Sequence, residues 1–539
     1  MKVAPAKRPP QHKKATGIES PPIELHHKTF PAPIRGWVMN ENLSDSPGKS
    51  ALQLDNWFPT SRSIRLRGGT PKYATLDDAV TSMFTYNGGA SEKFFAATAA
   101  DIFDVTTVAD PDVAPTADVT GQTSGYYSTT MFSTAGGDYL YAVNGEDSPQ
   151  LFDGSAWQAV TGVSAPIAIT GVTTSTLSYV WAFASRLFFV ESGTQTVWYL
   201  PVDSLGGAAA SFSLSGVFKN GGSVLFGATW SMDAGDGLDD KCVFVSTLGE
   251  VAVYEGTNPS SAADWRKVGV YNLTPPMGMN CHMQAGGDLL IGCQTGIIPL
   301  SQAVNKDPAA LSLSAISRAI EPEWVLQSQA RNIYPWEILK WPAANMMVVS
   351  QPDTTGALDQ NILVANMETG AWCRFTNVDA RCLCLFDNGG YFGTGSNTIH
   401  RMENGGTDDG TPFTGVCVLS FDHLDAPGLT KTVLQSRALF KSNHEIRPKV
   451  SASTDYDINV PSAPSSGADF TTSEWDSALW DVATWDGDVT YAIKAKWASI
   501  GKTGHTIAPV VQVTSGVTPF PRVELISLDF TYTLGAVVT

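Results

Sequence analysis

Between residues 81 and 400 the apolar residues come in short runs, and the runs come in pairs. Each pair reads as strand, tight polar turn, strand, with a third strand about ten residues on, and the unit recurs seven times at a period near fifty residues. In four copies the first turn carries a Gly pair: TSMFTY-NGGASE-KFFAAT, STTMFST-AGGD-YLYAVN, NCHMQ-AGGD-LLIGC and RCLCLF-DNGG-YFGTG. In three it is another polar connection: SYVWAFA-S-RLFFVES, FGATWSM-DAGDGLDD-KCVFVS and WEILKW-PAAN-MMVVSQ. The second strands are continuous apolar runs, as expected for strands covered on both faces. A fixed period of this length, built of strands without helices, predicts a radial array of small sheets. The fold expected is all-β: a β-propeller of six to eight blades, with seven favoured. Trp157, Trp265 and Trp372 follow third strands and are expected to open fourth strands and wedge between blades as core.

The flanks differ. Residues 1–34 are rich in Pro, Lys and His and lack periodicity, which predicts an extended N-terminal arm ordered only on a partner. Residues 35–75 hold two extended segments expected to close or brace the ring, so the propeller is assigned to 35–412, with the repeats over 76–412. Residues 413–539 read as a C-terminal antiparallel β-sandwich. In YAIKAKWAS, Tyr491, Ile493, Ala495 and Trp497 alternate with Lys494 and Lys496, and in ELISLDFTYTL, Ile526, Leu528, Phe530, Tyr532 and Leu534 share a face.

Charge changes the picture. Only 16 % of residues are charged, against about a quarter in ordinary domains, which suggests surface covered by other subunits. Seven Lys or Arg against two acids give residues 1–35 a charge of +5, so the remainder carries −23 of the overall −18. An acidic body argues against a surface that grips duplex, though not against nucleic acid that must slide past. The seven Cys are scattered through apolar strands without CxxC spacing, which fits synthesis in a reducing cytoplasm and predicts no zinc. The basic N-terminus lacks the apolar core of a signal peptide, and no apolar run approaches 18 residues, so no membrane span is expected.

Candidate chemistry is sparse. Asp233, Asp236, Asp239 and Asp240 could offer oxygens to calcium, but the spacing is not that of an EF-hand and a solvated turn is favoured. Trp475, Trp480 and Trp485, each followed by an acid (Asp476, Asp481, Asp486), form either an inter-subunit seam, the favoured reading, or a sugar-stacking ladder. His282, between Cys281 and Met283, reads as a satisfied core residue. No phosphate loop, nucleophile elbow or HExxH is present. The expectation is therefore no enzyme and no cofactor.

The segment NWFPTSRSIRLRGGTPKYA, clearest over residues 56–74, resembles the N-terminus of tail hub and nozzle proteins of short-tailed bacteriophages, a group that includes the packaged-DNA stabilisation proteins. A second stretch, 474–535, with its Trp-Asp-rich loop, K-x-K-W strand and terminal D-F-x-Y-x-x-G strand, is similar to the same family. The resemblance implies a structural virion protein of the tail, assembled in the host cytoplasm. It implies a ring, a homo-hexamer, below the adaptor or head-tail connector, with tail fibre or tip proteins as further partners. Packaged double-stranded DNA would pass its lumen without sequence-specific contact and be retained until ejection. Arg62, Arg65 and Arg67 line their strand and could grip carboxylates of an adjacent blade or subunit; with Lys2, Lys7, Arg8, Lys13 and Lys14 of the arm they are the candidate subunit contacts. The competing reading is a glycan-binding or glycan-cleaving propeller used in host recognition.

Overall fold

In a computed structural model of the chain, residues 24–40, 48–89, 91–231, 240–353, 358–443, 446–466, 492–516 and 522–535 are described. The seven hairpins become the inner strands of seven blades. The first strands are Ser82–Gly88, Ser128–Thr134, Leu177–Phe183, Val224–Trp230, His282–Ala285, Glu337–Trp341 and Cys382–Phe386, for blades 1 to 7 in chain order. Neighbouring blades touch all the way round, and blade 7 packs back on blade 1. Blades 1 to 4 each have four antiparallel strands in sequence order. The second strands are buried almost end to end, which is why their sequences do not alternate.

The ring closes with strands from both ends of the repeat region. Blade 7 has three strands from residues 382–401, and its outer strand is Lys72–Thr75, with Ala74 opposite Ile399. The three expected Trp sit where fourth strands begin. Trp157 meets Phe84 and Phe95 of blade 1 as well as its own Phe152. Trp265 joins Phe188 of blade 3 to Tyr254 of blade 4. Trp372 opens Trp372–Thr376 and donates its indole N–H to Ile316 O at 3.1 Å.

Blade 5 departs from the expected pattern. It has three strands and then a helical insertion, with helix α1 (Leu300–Asn305), two 3₁₀ segments and helix α2 (Glu321–Ala330). Local chemistry explains it. Asp307 caps Pro308–Ser314 by accepting from Ala309 N, and Glu321-Pro322-Glu323 places acids and a Pro in the first turn of α2.

The sandwich is built from both chain ends, which corrects the expected boundaries. Within residues 35–75, Lys72–Thr75 closes the ring and Gly36 and Ala51–Asp55 brace blade 6, but the other strands belong to the sandwich. Ala51–Asp55 inserts between blade 6 and Thr414–Leu419, so one eight-stranded sheet runs from blade 6 into Ile507–Thr514 and Lys449–Thr454. Trp57–Pro59 and Ile64–Leu66 join Val523–Leu534, Lys431–Ser442 and Ala492–Gly504 in the facing sheet. The end of the arm is pinned on its own chain: His26–Pro31 pairs with Val523–Leu534, and Phe30 meets Phe530 edge-on at 5.4 Å. Trp57, Val433, Phe440, Val511, Leu525 and Phe530 fill the space between the sheets, and this core is continuous with blade 6.

Two strands break the alternation read from sequence. A bulge at Ile526 puts Leu525 rather than Ile526 in the core, with Leu528, Phe530 and Tyr532 as expected. The register of Ala492–Gly504 places Trp497 opposite Arg437 and Lys496 opposite Ala438, and Ile493 and Trp497 face outward, 67 % and 45 % exposed.

Candidate functional site

The segment Asp55–Thr70 fastens the propeller to the sandwich. Asn56 adopts φ +59, and its amide donates to Thr376 Oγ1 and Thr414 O while accepting from Thr376 N and Arg67 Nε. Arg67 is 1 % exposed. Its guanidinium forks onto Asp408 at 2.8 and 2.6 Å, donates to Gly68 O, and lies 3.8 Å from the Phe413 ring centroid. Arg65 pairs with Glu403 at 2.7 Å and covers the Phe58 ring, and Asp55 takes a second fork from Arg374. Backbone bonds from Gly69 N to Gly405 O and from Thr70 N to Thr407 O zip the strand exit to the loop leaving blade 7.

This corrects the role expected of the arginines. Arg65 and Arg67 grip carboxylates of their own chain, and Arg67 has no free surface to offer a neighbouring subunit. Arg62 is exposed, and its guanidinium contacts no partner among the described residues. The Gly pair has a steric reason as well. A Cβ on Gly69 would lie 2.2 Å from Thr407 O, so Gly69→Ala is expected to cost about 1–3 kcal/mol in a denaturation curve, with Gly216→Ala, which meets nothing within 4 Å and has no left-handed φ, as the control for ordinary substitution.

The second assembly of polar groups lies where the first strands of the blades converge and line shared cavities. Glu337 opens the first strand of blade 6. Its carboxylate accepts from Leu383 N of blade 7 at 2.7 Å and from the Asn280 amide beside blade 5 at 3.2 Å. It faces a cavity of about 190 Å³ shared with Ser82, Tyr127, Thr129 and Ile338. Burial pushes its carboxyl from the usual 4.5 to about 7, against the two hydrogen bonds that favour the charged form.

Further along, a cavity of about 520 Å³ is lined by Tyr179, Trp181, Thr229, His282, Gln284 and Lys340, among others. His282 stacks on Phe226 at 4.4 Å, and its Nε2 lies 3.4 Å from Tyr179 Oη. Burial lowers its pKa to about 4, so the ring is neutral, and its Nδ1 has no hydrogen-bond partner. His282 is thus a packed residue satisfied on one nitrogen.

Folding favours the protonated form of Glu337, because the folded pKa lies above the unfolded one. Its contribution is fully present below about pH 4.5 and lost as pH rises towards 7. Wild type is therefore expected to lose up to about 3 kcal/mol relative to Glu337→Gln between about pH 4.5 and 8. Urea midpoints of the two proteins in choline buffers check this, and parallel pH profiles would refute it.

Other expectations stand as follows. The seven Cys are free and buried, and burial pushes their thiols up. Asp240 hydrogen-bonds Ser231, while Asp233, Asp236 and Asp239 lie outside the described residues. So do Lys2, Lys7, Arg8, Lys13, Lys14, Trp475, Trp480, Trp485, Asp476, Asp481 and Asp486. Among the described residues no group of three or more His, Cys, Asp or Glu is placed to hold a metal, and no helix is long and apolar enough to cross a membrane. Sequence reasoning passed over Glu337 and Asn280; the available signal was a lone acid, three positions before Lys340, in the inner strand WEILKW.

No family model matches the chain, and no curated protein does. Among solved structures, the computationally designed Ika8 protein is 10 % identical, with a TM-score of 0.34, covering 62 % of this chain and 99 % of that one. BBS1N, solved in complex with ARL6DN, is 10 % identical with a TM-score of 0.39, covering 64 % of this chain and 98 % of that one.

Proposed function

We propose that this chain is a structural subunit of a short phage tail: the hub or nozzle, assembled as a homo-hexameric ring below the adaptor. The ring continues the DNA exit channel and retains packaged DNA until ejection, without catalysis and without sequence-specific contact. The observation that carries the reading is the role of the segment through which the chain resembles that family. Residues 56–70 are spent on fastening a propeller to a sandwich through buried ion pairs, which is what a load-transmitting wall subunit requires. A wedge-shaped body of this kind suits closed cyclic assembly. The acidic balance of the body suits a lumen through which phosphate slides, since like charge repels over a Debye length of about 8 Å. Cryo-electron microscopy of the assembled tail tests this charge placement. Acidic side chains are expected on the lumen wall; a basic lumen with the acids on the outer wall would overturn it.

A further inference from the structure

Glu337 is a half-buried carboxylate that faces the cavity between the inner strands with no cation against it among the described residues. Its partners, Leu383 N and the Asn280 amide, are neutral donors. The nearby positive groups do not reach it: the Lys340 ammonium bonds Gln284 O, and the Arg381 guanidinium packs 5.1 Å from the Tyr334 ring centroid, its Nε without a hydrogen bond among the described residues. A carboxylate drawn out of water is disfavoured unless it is protonated, paired or coordinated. The cavity beside it brings further oxygens. Thr129 contributes a hydroxyl, Asn280 retains its amide oxygen, and Ser82 Oγ, which donates to Gly125 O, keeps acceptor capacity.

One negative charge among neutral oxygens matches a hard monovalent cation better than a divalent one, whose second charge would stay uncompensated. We propose that this cavity is a cation site: Na⁺ or K⁺ seated against Glu337, with Thr129, Ser82 and Asn280 oxygens in its shell. The ion would tie together the inner strands of blades 1, 2, 5, 6 and 7. The titratable groups facing Glu337 or its cavity are Cys281 from blade 5, Cys382 and Cys384 from blade 7, and Tyr126 and Tyr127 beside blade 2. Burial keeps all five neutral around pH 7, so proton and cation compete for one carboxylate. The site needs only the folded chain and does not depend on ring assembly.

Infrared difference spectra of the purified full chain, wild type minus Glu337→Gln, isolate the protonated carboxyl band of this residue. The band is titrated in choline chloride, then in NaCl and in KCl at the same ionic strength. Its midpoint is expected to fall in at least one metal salt, by about one pH unit for each tenfold of cation above its Kd. An identical midpoint in all three salts overturns the proposal. Should Glu337→Gln fail to fold, thermal midpoints of wild type decide. A rise in NaCl or KCl over choline at about pH 8, absent at about pH 5, supports the site. No rise, or an equal rise at both pH values, overturns it.

Discussion

Replacing Arg67 by Ala is expected to destabilise the protein by about 3–5 kcal/mol, because it leaves the largely buried Asp408, whose side chain is 15 % exposed, without its counter-charge. The loss goes beyond one ion pair. The same guanidinium bonds Asn56, Gly68 O and Thr376 O, and packs on Phe413, so five groups lose a partner together. Asn56 is the hinge of the arrangement: held at φ +59, it joins the strand leaving the sandwich to blade 6. Arg67→Lys is expected to recover less than half of the loss, since an ammonium keeps the charge but not the fork. Urea denaturation of the three proteins measures both. A loss below about 1 kcal/mol for Arg67→Ala would show that the fastener does not hold the two layers.

Beginning the chain at Pro71 is expected to abolish cooperative folding, even though every strand of the propeller is retained. The strand Ala51–Asp55 sits inside the eight-stranded sheet, so its removal opens two unpaired edges between blade 6 and Thr414–Leu419. Trp57, Ile64 and Leu66, each at most 1 % exposed, leave the core, and Arg374, Glu403 and Asp408 lose their partners. Loss of a buried Trp alone costs about 3–5 kcal/mol. Ending the chain at residue 412 should fail in the same way, because it removes the other half of the same sandwich. Calorimetry of the fragment 72–412 is the contrast: a sharp transition near that of the full chain would show a propeller that stands by itself.

The ring was legible in the sequence because blade packing covers both faces of the second strands. That turns alternation into continuous runs such as LFFV and MMVVS, bounded by turns. The closing strand was legible only as an extended segment, since its partner lies more than three hundred residues away at Thr398–Arg401. The helical insertion of blade 5 carried ordinary start signals, Asp307-Pro308 and Glu321-Pro322-Glu323, that a search for a strand period passes over. The outward turn of Trp497 and the bulge at Ile526 depend on register with Lys431–Ser442, which the alternation of a single strand cannot fix. Of the site residues, Arg65 and Arg67 were picked out as carboxylate grips, but their partners lie more than three hundred positions on, so sequence could not separate an intramolecular clasp from a subunit contact. The pairing of Asn280 and Leu383 with Glu337 spans only 57 and 46 positions, but it joins three different blades, and the strand period does not say which blades meet at that residue.

The most direct test of ring assembly is negative-stain electron microscopy of the purified chain over a range of concentrations, alone and with the adaptor ring supplied as template. Closed six-fold rings with a central hole are the expected result. Single particles at every concentration, with and without the adaptor, would contradict the account.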